Sequence, residues 1–104
     1  MQIHINTDNN IEGREALASY VEGLLEKSLN RFSDQITRIE VHLSDENSHK
    51  SGPGDKRCLI EARLKVRNPT SVSHRAATLD LAVKGAADKI KKSIESTLQR
   101  LHDS

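Results

Sequence analysis

"DKRCLIEARLKVRNP", residues 55–69, decides how the chain is laid out. Cys58, Ile60, Ala62, Leu64 and Val66 recur at every second position, the period of a strand with one buried face. Arg57, Glu61, Arg63, Lys65 and Arg67 take the alternate positions together with Leu59. One face therefore packs inward and the other, mostly basic, meets solvent. Pro69 lacks an amide donor and ends the strand.

Working outward, "QITRIEVHLS" at 35–44 has the same alternation. Ile39, Val41 and Leu43 share one face; Arg38, Glu40 and His42 share the other. "DENSHKSGPGD" at 45–55 joins the two strands; it is too long for a tight turn and is expected to be mobile. "QIHIN" at 2–6 opens the chain as a half-buried strand with Ile3 and Ile5 inward. "VSHRA" at 72–76 fits a short fourth strand whose facing the pattern leaves open.

Two segments follow the helical period instead. Ile11 to Asn30 is expected to be a helix with Leu17, Val21, Leu24 and Ser28 along its stripe and Tyr20, Leu25 and Leu29 beside it. Asn10 or Asp8 is its candidate cap, and Glu12, Glu15 and Arg31 complement its dipole. Phe32 anchors its exit, and Tyr20 and Phe32 are both expected on the core side. Leu79 to Leu101 is the second helix, with Thr78 or Ser73 upstream and Thr78 the better cap candidate. Its buried stripe is Val83, Ala86, Ala87, Ile90, Ile94, Leu98 and Leu101, with the lysines mostly off it. The order β-α-β-β-β-α predicts an α+β domain: a four-stranded sheet with two helices on one face and the other face open. At 104 residues this is one domain, 1–104, with a mobile loop at about 45–55.

The net charge of +1 conceals segregation. Residues 1–49 carry a balance of −5, residues 50–78 carry +5, and residues 79–104 carry +1. Such a distribution can present a strong local field. Arg38, Arg63, Lys65 and Arg67 can stand on neighbouring strands of the open face and hold phosphates at several points. With Tyr20 and Phe32 as the aromatics, base stacking is poorly equipped, and structured RNA is the better fit than a single strand. Glu40 and Glu61 interrupt the face, which also suits an ordinary solvated surface and, less well, a surface for a protein partner.

Reaction chemistry finds little support. His4, His42, His49, His74 and His102 are scattered without metal-ligand spacing, and the single Cys58 makes neither an intrachain disulfide nor a cysteine-rich zinc site. Cys58 falls on the buried face, as inert packing. "SGPGDK" at 51–56 lacks the spacing and following helix of a phosphate loop. No catalytic residue, metal site or cofactor is expected. The opening "MQIHINTDNN" has neither the basic nor the apolar region of a signal peptide, no run approaches a membrane span, and a cytoplasmic protein is expected.

The order and spacing of "MQIHI", "ALASYVEGLLEKSLNRFSDQITRIEVHLSDE" and "AVKGAADKIKKSI" carry a resemblance over nearly the whole chain. Tyr20-Val21 in the first helix, Arg31-Phe32 at its exit and Asp88-Lys89-Ile90-Lys91-Lys92 in the last helix resemble the short ribosome hibernation promoting factor and ribosome-associated inhibitor family. That family is also called sigma-54 modulation or ribosomal subunit interface proteins. The resemblance implies a β-α-β-β-β-α fold arranged like a double-stranded-RNA-binding domain. It implies a non-catalytic partner of the small ribosomal subunit and its ribosomal RNA, seated near the decoding centre and silencing translation by occlusion under stress or in stationary phase. It matches family basic positions to Lys89 and Lys92, and to Lys91. Lys84 and the strand residues Arg38, Arg63, Lys65 and Arg67 join these as RNA-binding candidates on charge and geometry. The family usually has a bulky residue and an acid where this chain has Ala86 and Gly85; here the 45–55 loop is longer and the 55–64 strand more charged. A monomer without membrane association is expected. The alternatives are a generic structured-RNA binder, or a protein-interaction module that meets a transcription or translation factor through Glu12, Glu15, Glu22 and Glu26.

Overall fold

The computed structural model describes residues 1–8, 11–46, 56–66 and 68–103. Along them run β1 (Gln2–Thr7), α1 (Arg14–Leu29), a 3₁₀ turn (Asn30–Phe32), β2 (Ile36–Asp45), β3 (Lys56–Leu64), β4 (Thr70–Ala76) and α2 (Leu79–Asp103). The strands lie side by side in chain order. β1 is parallel to β2, and the remaining pairs are antiparallel. Parallel neighbours need a crossover rather than a hairpin, and α1 supplies it.

Alternation places one face of every strand in a single core. Ile39, Val41, Ile60, Ala62 and Cys58 are fully buried, and Ile3 and Ile5 pack at the β1 margin. Both helices cover this face. α1 contributes Val21, Leu25 and Leu29; α2 contributes Ala82, Val83, Ala86, Ile90 and Ile94, all without exposed surface. Of the predicted α2 stripe Val83, Ala86, Ala87, Ile90 and Ile94 are buried, while Leu98 and Leu101 toward its end are only half-buried. Thr78 is the cap, its Oγ1 accepting from the amide of Leu81 at 3.1 Å, which satisfies one of the donors orphaned at a helix start. The predicted α+β architecture is the observed one.

Several local expectations are corrected. α1 starts at Arg14 rather than Ile11, because Gly13 sits in the left-handed region (φ 65°) and breaks the helical path. Ile11 is buried ahead of the helix. Asp8 does not cap it: its Oδ2 accepts from the Asp45 amide at 2.9 Å, joining the ends of β1 and β2. The alternative cap, Asn10, lies outside the described residues. Tyr20 is at the surface, 42% exposed, while Phe32 is buried as expected. β3 ends at Leu64, so Lys65 and Val66 are not strand residues and Val66 is 61% exposed rather than part of the apolar face. The Lys65 amide instead donates to the Gln35 carbonyl at 3.0 Å, turning the chain out of the sheet. Arg67 and 47–55, most of the connecting loop, lie outside the described residues.

β2 carries a feature that alternation alone does not reveal. Ile36 pairs with Leu64, but Arg38 pairs with Arg63, so Thr37 is an inserted residue. The bulge buries Ile36 on the same face as Ile39 despite their odd spacing. Thr37 Oγ1 donates to the Arg63 carbonyl at 3.1 Å. The facing of β4 is also fixed. Its register against β3 turns Ser71, Ser73 and Arg75 to the open side.

Candidate nucleic-acid interface

On the open side the strand register sorts the charges into rows. Arg38 stands opposite Arg63, Glu40 opposite Glu61, His42 opposite Leu59, and Ser44 opposite Arg57, which in turn faces Arg75. Like charges directly opposite one another are unfavourable. The side chains relieve this along each strand: Arg38 pairs with Glu40, and Arg63 Nε lies 3.5 Å from Glu61 Oε1. The face thus has cationic ends and an acidic middle. His4 and Asn6 border that middle from β1.

Glu40 is the most enclosed of these acids, with 16% of its side chain exposed. Loss of solvent pushes its carboxyl up, but the Arg38 guanidinium bonded to it, with the His4 charge and Asn6 Nδ2 at 3.4 Å, brings the pKa below its ordinary value. Glu40 remains a carboxylate and holds Arg38 at one end of the face.

The α2 candidates lie in the other layer. Lys84 Nζ is 3.1 Å from Asp80, and Lys92 Nζ is 3.0 Å from Asp88, each pair one helical turn apart. Such exposed pairs contribute little and exchange readily. Lys91 is half-buried, beside Leu24 and Ser28 of α1. Lys89 reaches the opposite way and donates to the Ser73 carbonyl of β4 at 3.0 Å. Arg38 and Arg63 are therefore brought together and Lys65 follows just beyond β3, while on α2 Lys84 and Lys91 border one groove beside α1, Lys92 is exposed next to Asp88, and Lys89 turns toward β4. The sequence reading missed Arg75 and gave Arg57 no role; the Arg57 alternation was a signal, but without the β4 facing it had no partner.

Other chemistry is quiet. Among the described residues no three His, Cys, Asp or Glu side chains gather as a metal site, and no helix is long and apolar enough to cross a membrane. Burial pushes the Cys58 thiol up to about 12, leaving it protonated.

A four-stranded mixed sheet, backed by two helices and charged on its free face, is a recurring arrangement. The Protein Y N-terminal domain from Thermus thermophilus has the same fold, with a TM-score of 0.74 and 24% identity over 93% of this chain and 99% of that one. A ribosomal subunit interface protein from Coxiella burnetii superposes with a TM-score of 0.70 and 16% identity over 95% of this chain and 99% of that one. No curated protein sequence matches significantly. The family pattern of sigma 54 modulation protein / S30EA ribosomal protein matches residues 3–102, and the chain belongs to that family.

Proposed function

We propose that the protein is a non-catalytic translation regulator that binds the small ribosomal subunit near the decoding centre. It blocks the messenger and transfer RNA sites during stress or stationary phase, in the cytoplasm, as a monomer when free. The observation that carries this reading is the family match across residues 3–102. A similarly folded protein bears the name ribosomal subunit interface protein. The inhibition is steric: a folded domain in the messenger and transfer RNA path needs no bond made or broken.

Binding draws on basic side chains in two layers of the fold. Arg38, Arg63 and Lys65 serve the sheet side and Lys84, Lys89, Lys91 and Lys92 the α2 side as contacts to ribosomal RNA phosphates, with Arg67 a further candidate on its charge. Lys84 and Lys92 exchange an aspartate for a phosphate, which has more acceptor oxygens. Phosphate contacts orient the protein on folded RNA without reading bases.

Sedimentation with purified subunits tests the proposal. The protein is expected to travel with the small subunit at low salt and to leave it steeply as salt rises. Arg38→Glu with Arg63→Glu and, separately, Lys89→Glu with Lys92→Glu divide the sheet and helix contributions. A folded protein that stays at the top of the gradient with small subunits, or whose cellular association survives ribonuclease, overturns it. The latter outcome favours a protein partner.

A further inference from the structure

At the end of the open face away from Arg38, two guanidiniums face each other with one carboxylate between them. Arg57 of β3 and Arg75 of β4 are direct register partners. Glu46, at the close of β2, takes both: its Oε1 lies 3.9 Å from Arg57 Nη1 and its Oε2 accepts from Arg75 Nη1. We propose that Arg57 and Arg75 form a clamp for a backbone phosphate of structured RNA, with Glu46 as its internal stand-in. The identity of the RNA rests on the ribosomal reading above; the clamp itself rests on this geometry.

Three features support it. Opposed arginines are unfavourable, and where Arg38 and Arg63 are each relieved by a glutamate on their own strand, Arg57 and Arg75 share one anion between them, which makes this end an anion site. The site is accessible, with 37% of the Arg57 and 53% of the Arg75 side chain exposed. Its present occupant is weakly held, because an exposed glutamate pairs with arginine at little net gain. A phosphodiester offers the same forked acceptor geometry, and arginine is the side chain best matched to it.

The rest of the face argues for a polymer rather than a single small anion. Arg57 and Arg63 are six residues apart along β3, about 20 Å. Between them lies the acidic row of Glu40 and Glu61. An acidic peptide laid across the face would bring carboxylates onto that row. A folded RNA instead offers phosphates on two strands with a shallow groove between them, so each lip can rest on one cationic end.

The test separates the clamp from the ribosomal reading by using two probes on the full chain. Inorganic pyrophosphate is titrated while the arginine Nε–Hε resonances are followed by NMR. Arg57 and Arg75 are expected to shift together, and Glu46→Gln, which removes the competing charge, is expected to tighten the response about tenfold. Arg57→Gln with Arg75→Gln abolishes it while amide dispersion reports an intact fold. In small-subunit sedimentation that double variant lowers the salt slope by about one, and Glu46→Gln binds more tightly than the parent. The clamp is overturned if both arginine resonances stay still in Glu46→Gln at high pyrophosphate. It is also overturned if polyglutamate displaces pyrophosphate as well as RNA does, or if the double variant keeps the parent salt slope on subunits. Should pyrophosphate move both arginines while the parent ignores ribosomal subunits, the clamp stands and the ribosomal reading falls.

Discussion

Tyr20 of α1 donates its phenolic hydrogen to Asp80 in the first turn of α2. This links the two helices at the surface, and Lys84 completes the group from the other side of the carboxylate. A residue that the helical stripe assigned to the core is instead the outer clasp of the helix layer.

The clasp has a defined pH window. The Tyr20 hydrogen bond, and then Lys84, hold the Asp80 carboxyl below its ordinary 3.8, while the bond to Asp80 raises the Tyr20 phenol above its ordinary 10.0. A depressed carboxyl stabilises the fold above its unfolded pKa and loses that effect as pH falls through the folded one. A raised phenol stabilises below its unfolded pKa and loses that effect as pH rises through the folded one. The contribution is therefore complete from about pH 4 to about pH 10. Tyr20→Phe is expected to move the Asp80 titration upward, read by carboxyl NMR. An unmoved titration would mean the bond is not populated in solution.

Gly85 of α2 lies under the His74 ring of β4. A Cβ built there would collide with His74 Cδ2. Gly85→Ala gains helix propensity of about 1 kcal/mol but forces the imidazole aside, at an overpacking cost of about 1–3 kcal/mol. The net expectation in denaturant unfolding is a small loss of stability. His74→Ala combined with Gly85→Ala should recover it, giving a coupling between the two sites. Additive effects would show that the ring already moves freely.

Deleting Thr37 removes the inserted residue of β2. Either Ile36 turns to the open face or the register downstream slips. Exposing Ile36, now 1% accessible, costs about 1.5–3 kcal/mol on transfer grounds alone. Thr37→Ala keeps the bulge and loses the bond to the Arg63 carbonyl, so a loss nearer 1 kcal/mol is expected. Equal midpoints for the two variants would show that the bulge does not set the facing of Ile36.

Cys58 serves as a reporter of opening. With its thiol pushed up to about 12, the thiolate fraction at pH 8 is on the order of 10⁻⁴. A disulfide reagent is expected to label the native protein far more slowly than the unfolded chain, and denaturant should restore the rate. Native labelling as fast as that of a free thiol would contradict the burial.

The strand and helix pattern was legible because it rests on periodicity. Ile39, Val41 and Leu43 of β2, Cys58 through Leu64 of β3, and Val83 through Ile94 of α2 all fall where the two- and 3.6-residue repeats put them. What escaped rests on interruptions to those repeats. Val66 continues the alternation in sequence, yet the Lys65–Gln35 backbone bond has already led the chain away. Tyr20 fits the side of an apolar stripe, yet Asp80, sixty residues on, offers its hydroxyl a better partner. Among candidate site residues, Arg38 and Arg63 were paired by alternation. Arg75 was not, because a strand of mixed polarity such as "TSVSHRA" has no pattern strong enough to say which side faces in.

The parallel pairing of β1 with β2 also bears on how the chain is made. β1 is made before β2, its strand neighbour among the described residues, which begins at Ile36 after the whole of α1. β2, β3 and β4 follow one another as antiparallel neighbours, each within reach of the last, whereas β1 waits for a long closure. β1 thus spends the interval between its own synthesis and that of β2 without its ladder, exposed to any other strand that emerges nearby.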